Sequence, residues 1–206
     1  MINLSDWKTL WLDLKGQTNP ETSYNALCDL YTESHRAYHN LNHIEDCLTQ
    51  FAEVKHLAEQ PNEVEAALWL HDVIYDPRAS DNEAQSKDWA VDILTQGKVT
   101  KTSIETISIL ILDTQHTVIP QTLDGKLIVD IDLSILGRPP KVFEKYEQQI
   151  RGEYQWVPIE HYRLGRRQIL QSFLERDQIY QTAFFQERFE IQARKNLQTS
   201  IDQLTP

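Results

Sequence analysis

Leu4-Ser5-Asp6-Trp7-Lys8-Thr9-Leu10-Trp11-Leu12-Asp13-Leu14 places large apolar side chains at positions 4, 7, 10, 11 and 14. That spacing is the 3.6-residue period of an amphipathic helix. Working outward, Tyr24, Leu27, Cys28 and Tyr31 repeat it, and no segment alternates convincingly with the two-residue period of a strand. The chain therefore reads as all-α, with helices over about 3–15, 20–34, 40–58, 62–75, 81–96, 102–114, 125–136, 139–153, 158–176 and 181–201. Asn19-Pro20 has the form of a cap followed by proline in the first turn. Asn62 with Glu65, Ser80 with Glu83 and Thr102 with Glu105 have the spacing of capping boxes. The breaks at 76–79, 97–98, 118–125 and 137–140 are too short for interdomain linkers, so one domain over 1–206 is expected. The stretch Phe184–Leu204 reads as an amphipathic packing helix.

Composition narrows the classes of function. With 206 residues, 40% hydrophobic and 25% charged, the chain is long enough for a sizeable core and excludes disorder. Apolar stretches such as Ile107 to Leu112 fall far short of the roughly 20 residues of a membrane span. The first residues show no basic region leading into an apolar run, so a soluble, cytoplasmic protein without a secretory leader is expected. Cys28 and Cys47 are too few for a disulfide scaffold and read as reduced, buried and inert. Thirty-one acids against 20 bases give a net charge of -11, which repels duplex nucleic acid. A small phosphorylated substrate remains compatible, because a bound cation inverts the local charge.

Three blocks interrupt the apolar patterning with polar groups. The first is Ala66-Ala67-Leu68-Trp69-Leu70-His71-Asp72-Val73-Ile74-Tyr75-Asp76, where an imidazole and a carboxylate stand together in an otherwise apolar helix. Burying an ionised Asp costs several kcal/mol without compensation, so hydrogen bonds, a counter-charge or a metal must answer it. Neighbours on a helix point 100° apart, so both reach one ion only at a helix end or edge. The second block, Arg36-Ala37-Tyr38-His39-Asn40-Leu41-Asn42-His43-Ile44, puts His39 and His43 four residues apart on one expected face. A zinc-protease motif needs Glu directly after the first His, and Asn40 stands there. The third, Leu127 to Leu136, carries Asp130 and Asp132, and two carboxylates in a buried pattern need partners.

In this order and spacing the blocks resemble the HD-domain metal-dependent phosphohydrolases, and in particular a bacterial subgroup of predicted HD phosphohydrolases. The subgroup's Arg-x-Tyr-His-Asn-x-x-His-Ile is met from Arg36 to Ile44. Its second block is met by His71 to Asp76 with Asp81-Asn82-Glu83, and its third by Asp130-Ile131-Asp132-Leu133. Gly165-Arg166, Glu190 and Ala193 to Leu197 extend the likeness over nearly the whole chain. The resemblance implies a compact HD-domain helical bundle in which His43, His71, Asp72 and Asp132 hold one divalent ion. Two imidazoles and two carboxylates suit Mn²⁺, Fe²⁺, Co²⁺ or Zn²⁺ rather than Ca²⁺. Hydrolysis of a phosphoester or pyrophosphate bond in a small nucleotide or related metabolite is the implied reaction. An HD-type oxygenase or lyase, or a binding module with a structural metal, are the alternatives.

Around that core stand further candidates. Asp76 can position water, although related nucleotide hydrolases carry Glu-Asp where this chain has Tyr75-Asp76. His116 either faces the ion or sits in a surface turn. His39 can donate to phosphate or to a carboxylate that supports the metal. Arg36 and Arg166 are candidates for bidentate phosphate binding, whereas Arg163 and Arg167 read as surface ion pairs. Glu83 is explained by its capping box, and Trp69, Trp89 and the remaining aromatics read as core.

Overall fold

The computed structural model describes residues 3–205. Among them are ten α-helices and no strand, so the fold is all-α as the periodicity predicts. The helices are α1 (Leu4–Asp13), α2 (Glu21–Tyr31), α3 (Leu41–Val54), α4 (Pro61–Leu70), α5 (Asn82–Gln96), α6 (Lys101–Asp113), α7 (Leu123–Asp132), α8 (Pro140–Glu153), α9 (Ile159–Leu174) and α10 (Ala183–Leu204). Short 3-10 helices follow α3 at Lys55–Leu57 and α7 at Leu133–Gly137. No helix among the described residues is long and apolar enough to cross a membrane. The chain divides into two compact units, Met1–Ile128 and Val129–Pro206, with the division inside α7.

In the first unit α4 is the central element. Val64 and every residue from Ala66 to Leu70 are buried, because the helix is apolar all round and packs against α1, α3, α5 and α6. Trp7 stands between Trp11 and Trp69, with ring centroids 5.8 and 5.5 Å away. Cys47 is buried, Cys28 is half-buried, and neither is in a disulfide.

Helix starts differ from the sequence reading. Asn19 accepts from the Glu21 N–H, but the N-cap of α2 is Pro20 rather than Asn19, and none of the three proposed capping boxes marks a helix start. Pro61 begins α4, which puts Asn62 already inside the first turn. Asp81 and Thr100 are the N-cap residues of α5 and α6. The box that does form is Asn3 with Asp6 on α1.

The largest difference lies after α4, which ends at Leu70 instead of running to 75. Beyond His71, the carbonyls of Asp72, Val73, Ile74 and Tyr75 are all taken by side chains. Arg36 donates to those of Asp72 and Val73, Ser86 Oγ to that of Ile74, and His35 Nε2 lies 2.7 Å from that of Tyr75. These partners replace the helical ladder and hold the segment in an irregular path.

The second unit is built on a comparable exchange of buried polar groups. Asp130 accepts from the Gln181 N–H, the Thr182 N–H and the Thr182 hydroxyl at 2.7–2.8 Å, which caps the approach to α10. Asn196 donates to the Leu136 and Arg138 carbonyls, and Tyr180 to that of Leu133. Glu190 accepts from the Ile179 and Tyr180 N–H groups and from Arg194. Trp156, read among the core aromatics, is 48% exposed.

Candidate metal centre

The first unit brings together two imidazoles and one carboxylate. Asn40 caps α3 with extended backbone and accepts from the Asn42 N–H, so His43 falls in the first turn. His71 is the C-cap residue of α4, and Asp72 follows it off the helix. The sequence reading placed this doublet inside a helix; its position past the helix end is what lets adjacent residues converge.

The convergence is close. His43 Nε2 lies 3.2 Å from His71 Nε2 and 3.5 Å from Asp72 Oδ2, and His71 Nε2 lies 3.1 Å from Asp72 Oδ2. A point equidistant from these three atoms is about 1.9 Å from each, close to the roughly 2.0–2.2 Å of transition-metal bonds to nitrogen and oxygen. The imidazoles are buried and the Asp72 side chain is 14% exposed.

The tautomer of His71 also suits a ligand. Its Nδ1 is 3.0 Å from the Leu68 carbonyl, which can only accept, so Nδ1 carries the proton and Nε2 of the neutral ring presents a lone pair to the cluster. Burial alone pushes the Asp72 carboxyl up. When His71 is protonated, its charge and hydrogen bonds from His43 and His71 outweigh it and hold the group well below the usual carboxylate range. His43, His71 and Asp72 thus turn two imidazole nitrogens and one carboxylate oxygen toward one another.

The other candidates have varied settings. Asp132 is the last residue of α7 and is half-buried. Its neighbour Asp130 is consumed by the α10 cap described above. His39 precedes α3 rather than sharing its face with His43; its ring stacks on Tyr75 at 4.1 Å, and its centroid is 6.1 Å from that of His43. Asp76 is exposed and shapes a turn, its carboxylate accepting from the Arg78 N–H while its backbone pairs with the Asn82 amide. His116 follows α6 in the left-handed region at φ 56°, its N–H donating to the Asp113 carbonyl. Glu83 lies in the first turn of α5, but Ser80 is not the cap, so the capping role assigned to it gives way.

Both candidate phosphate-binding arginines turn inward. The Arg36 side chain is fully buried and donates to Glu33 and to three backbone carbonyls, those of His39, Asp72 and Val73. Arg166 is paired with both oxygens of Glu147 and donates to the Tyr146 hydroxyl. Each guanidinium is thus answered by internal acceptors, which removes the case for a phosphate fork at either position. Arg163 makes the exposed pair with Glu160 that was expected.

Sequence reasoning missed Tyr38, whose ring centroid is 4.7 Å from that of His43, and Cys47, whose sulfur is 3.7 Å from His43 Nδ1. Cys47 lies one helical turn beyond His43, a spacing visible in the sequence once His43 is placed on α3. Tyr38 lay inside the quoted block without a role. No protein-family model, curated protein or solved structure matches the chain.

Proposed function

We propose that this protein is a metal-dependent phosphohydrolase of the HD type acting on a small phosphorylated metabolite. The convergence of His43, His71 and Asp72 on one point carries the reading. Asp132 is the fourth donor that the resemblance implies. When bound, a divalent ion supplies a Lewis acid for a phosphoryl oxygen and lowers the pKa of water. The chain's residues do the rest: the Leu68 carbonyl fixes the His71 tautomer, and Asp72 and Asp132 contribute negative charge. His39, half-buried against Tyr75, is the residue assigned to contact the phosphate. The net charge of -11 favours a substrate whose charge a metal offsets at close range over a long polyanion.

The test is elemental analysis of protein purified without added metal, followed by a screen of nucleotides and phosphoesters with Mn²⁺. Near-stoichiometric metal and turnover, both lost in Asp72→Ala, are the expected result. Metal without turnover of any phosphoester would defeat the hydrolase reading, and no metal uptake at all would defeat the site.

A further inference from the structure

We infer that Arg36 is a positioning residue that sets the geometry of the His43, His71 and Asp72 cluster, a role that rests on the metal-site reading above. Arg36 lies in the turn that follows α2, and its side chain has no exposure to solvent. Nη1 donates to the Asp72 carbonyl at 2.7 Å and to the His39 carbonyl at 3.0 Å, Nη2 donates to the Val73 carbonyl at 2.9 Å, and Nε donates to Glu33 at 3.1 Å. The guanidinium carbon lies 5.2 Å from the Tyr31 ring centroid and 5.6 Å from that of Tyr75.

The carbonyl partners explain the inference. Past the end of α4 the Val73 N–H still closes one turn onto the Leu70 carbonyl at 3.3 Å. The Asp72 and Val73 carbonyls, however, are held by Arg36 rather than by a continuing helix, so the Arg36 bonds help set the direction in which the Asp72 side chain leaves the chain. His39 immediately precedes Asn40, the cap of the helix that carries His43. One nitrogen, Nη1, therefore joins the peptide of one donor to the start of the helix bearing another. A guanidinium can serve three carbonyls at once because its donors form a rigid planar fork that is always charged. A lysine ammonium is a point charge with tetrahedral donors and does not span the same set.

The experiment uses the full chain as wild type, Arg36→Lys, Arg36→Gln and, as a control, Arg194→Lys. Arg194 likewise serves three backbone carbonyls, those of Leu174, Arg176 and Asp177, and so matches the loss of a carbonyl-binding arginine. Two quantities are read: imidazole ¹⁵N NMR signals of the metal-free protein, and affinity for Co²⁺ alone. Both Arg36 variants should shift the His43 and His71 signals and bind Co²⁺ roughly 10–100-fold more weakly, whereas Arg194→Lys leaves both as in wild type. If Arg36→Gln does not fold, Arg36→Lys decides. Wild-type imidazole signals and Co²⁺ affinity in the folded Arg36 variants, however much their melting temperatures fall, would overturn the proposal. If wild type takes up no Co²⁺, the metal reading fails, and shifted imidazole signals in the Arg36 variants alone still uphold the positioning role.

Discussion

The Nε2 atoms of His43 and His71 face each other at 3.2 Å with their side chains almost wholly removed from water. Because His71 donates through Nδ1 to Leu68, Nε2 is the acceptor nitrogen of its neutral ring. The two rings can then share a single proton or turn both lone pairs to a cation. Two protonated imidazoles at this distance would repel in a region of low dielectric.

A divalent ion should accordingly stabilise the fold. Mn²⁺ or Co²⁺ at about 100 times its dissociation constant adds about 2.7 kcal/mol, which raises the melting temperature by about 5–10 °C for a chain of this length. Asp72→Asn should remove most of that increment and weaken binding by more than about 100-fold, beyond the usual effect of a residue that only supports a ligand. Differential scanning calorimetry with and without metal measures the first, and Co²⁺ titration the second. An equal increment in Asp72→Asn would contradict the ligand assignment.

Glu147→Ala should destabilise by about 3–5 kcal/mol, because it leaves the Arg166 guanidinium buried without its counter-charge. Glu160→Ala removes the partner of Arg163 at a site where both side chains are exposed, and should cost at most about 1 kcal/mol. Urea denaturation of the two variants provides the comparison.

Two glycines should respond in opposite directions. A Cβ on Gly137 would stand 2.4 Å from Phe189 Cβ and 2.9 Å from its Cα and carbonyl oxygen. Backbone of α10 cannot move aside cheaply, so Gly137→Ala should cost about 1–3 kcal/mol. A Cβ on Gly165 meets nothing within 4 Å, and Gly165→Ala within α9 should stabilise by about 0.5–1 kcal/mol through helix propensity. Thermal melts distinguish the two signs.

Asp130 gives the fold a pH dependence of unusual sign. Burial pushes its carboxyl up to about 6, while hydrogen bonds from Thr182 and Gln181 pull in the other direction. A group whose pKa is higher folded than unfolded contributes stability that is complete below the unfolded value near 4. That contribution is lost as pH rises through about 6. Between pH 4 and pH 7 the wild type should therefore lose roughly 2–3 kcal/mol relative to Asp130→Asn. Paired urea melts at the two pH values read this difference; a gap that does not change with pH would contradict it.

The helices were legible because their cause is local. Leu4, Trp7, Leu10, Trp11 and Leu14 mark a helix whatever packs on them, and the ten α-helices expected from the sequence are the number found among the described residues. Helix ends were less legible, since they depend on which hydrogen bond wins. Pro61 starts α4 one residue before the predicted start at Asn62, and α4 stops at Leu70 because Arg36, His35 and Ser86 capture the carbonyls beyond it. These three partners lie 12 to 40 residues away in sequence, and no pattern within 66–76 announces them.

For the site, the sequence by itself supplied the types of donor: imidazoles and carboxylates in apolar surroundings must be answered by something. Only the tertiary structure decided how each was answered. Asp130 and Asp132 stand two residues apart in one apolar run, yet Asp130 is satisfied by Gln181 and Thr182. Arg36 and Arg166 look alike to a sequence reader as phosphate forks, but folding delivers acceptors to both, carbonyls to one and Glu147 to the other. The physical reason is that a polar side chain's role is set by whichever partner is brought within about 3 Å, and that partner is chosen by packing between elements distant in the chain.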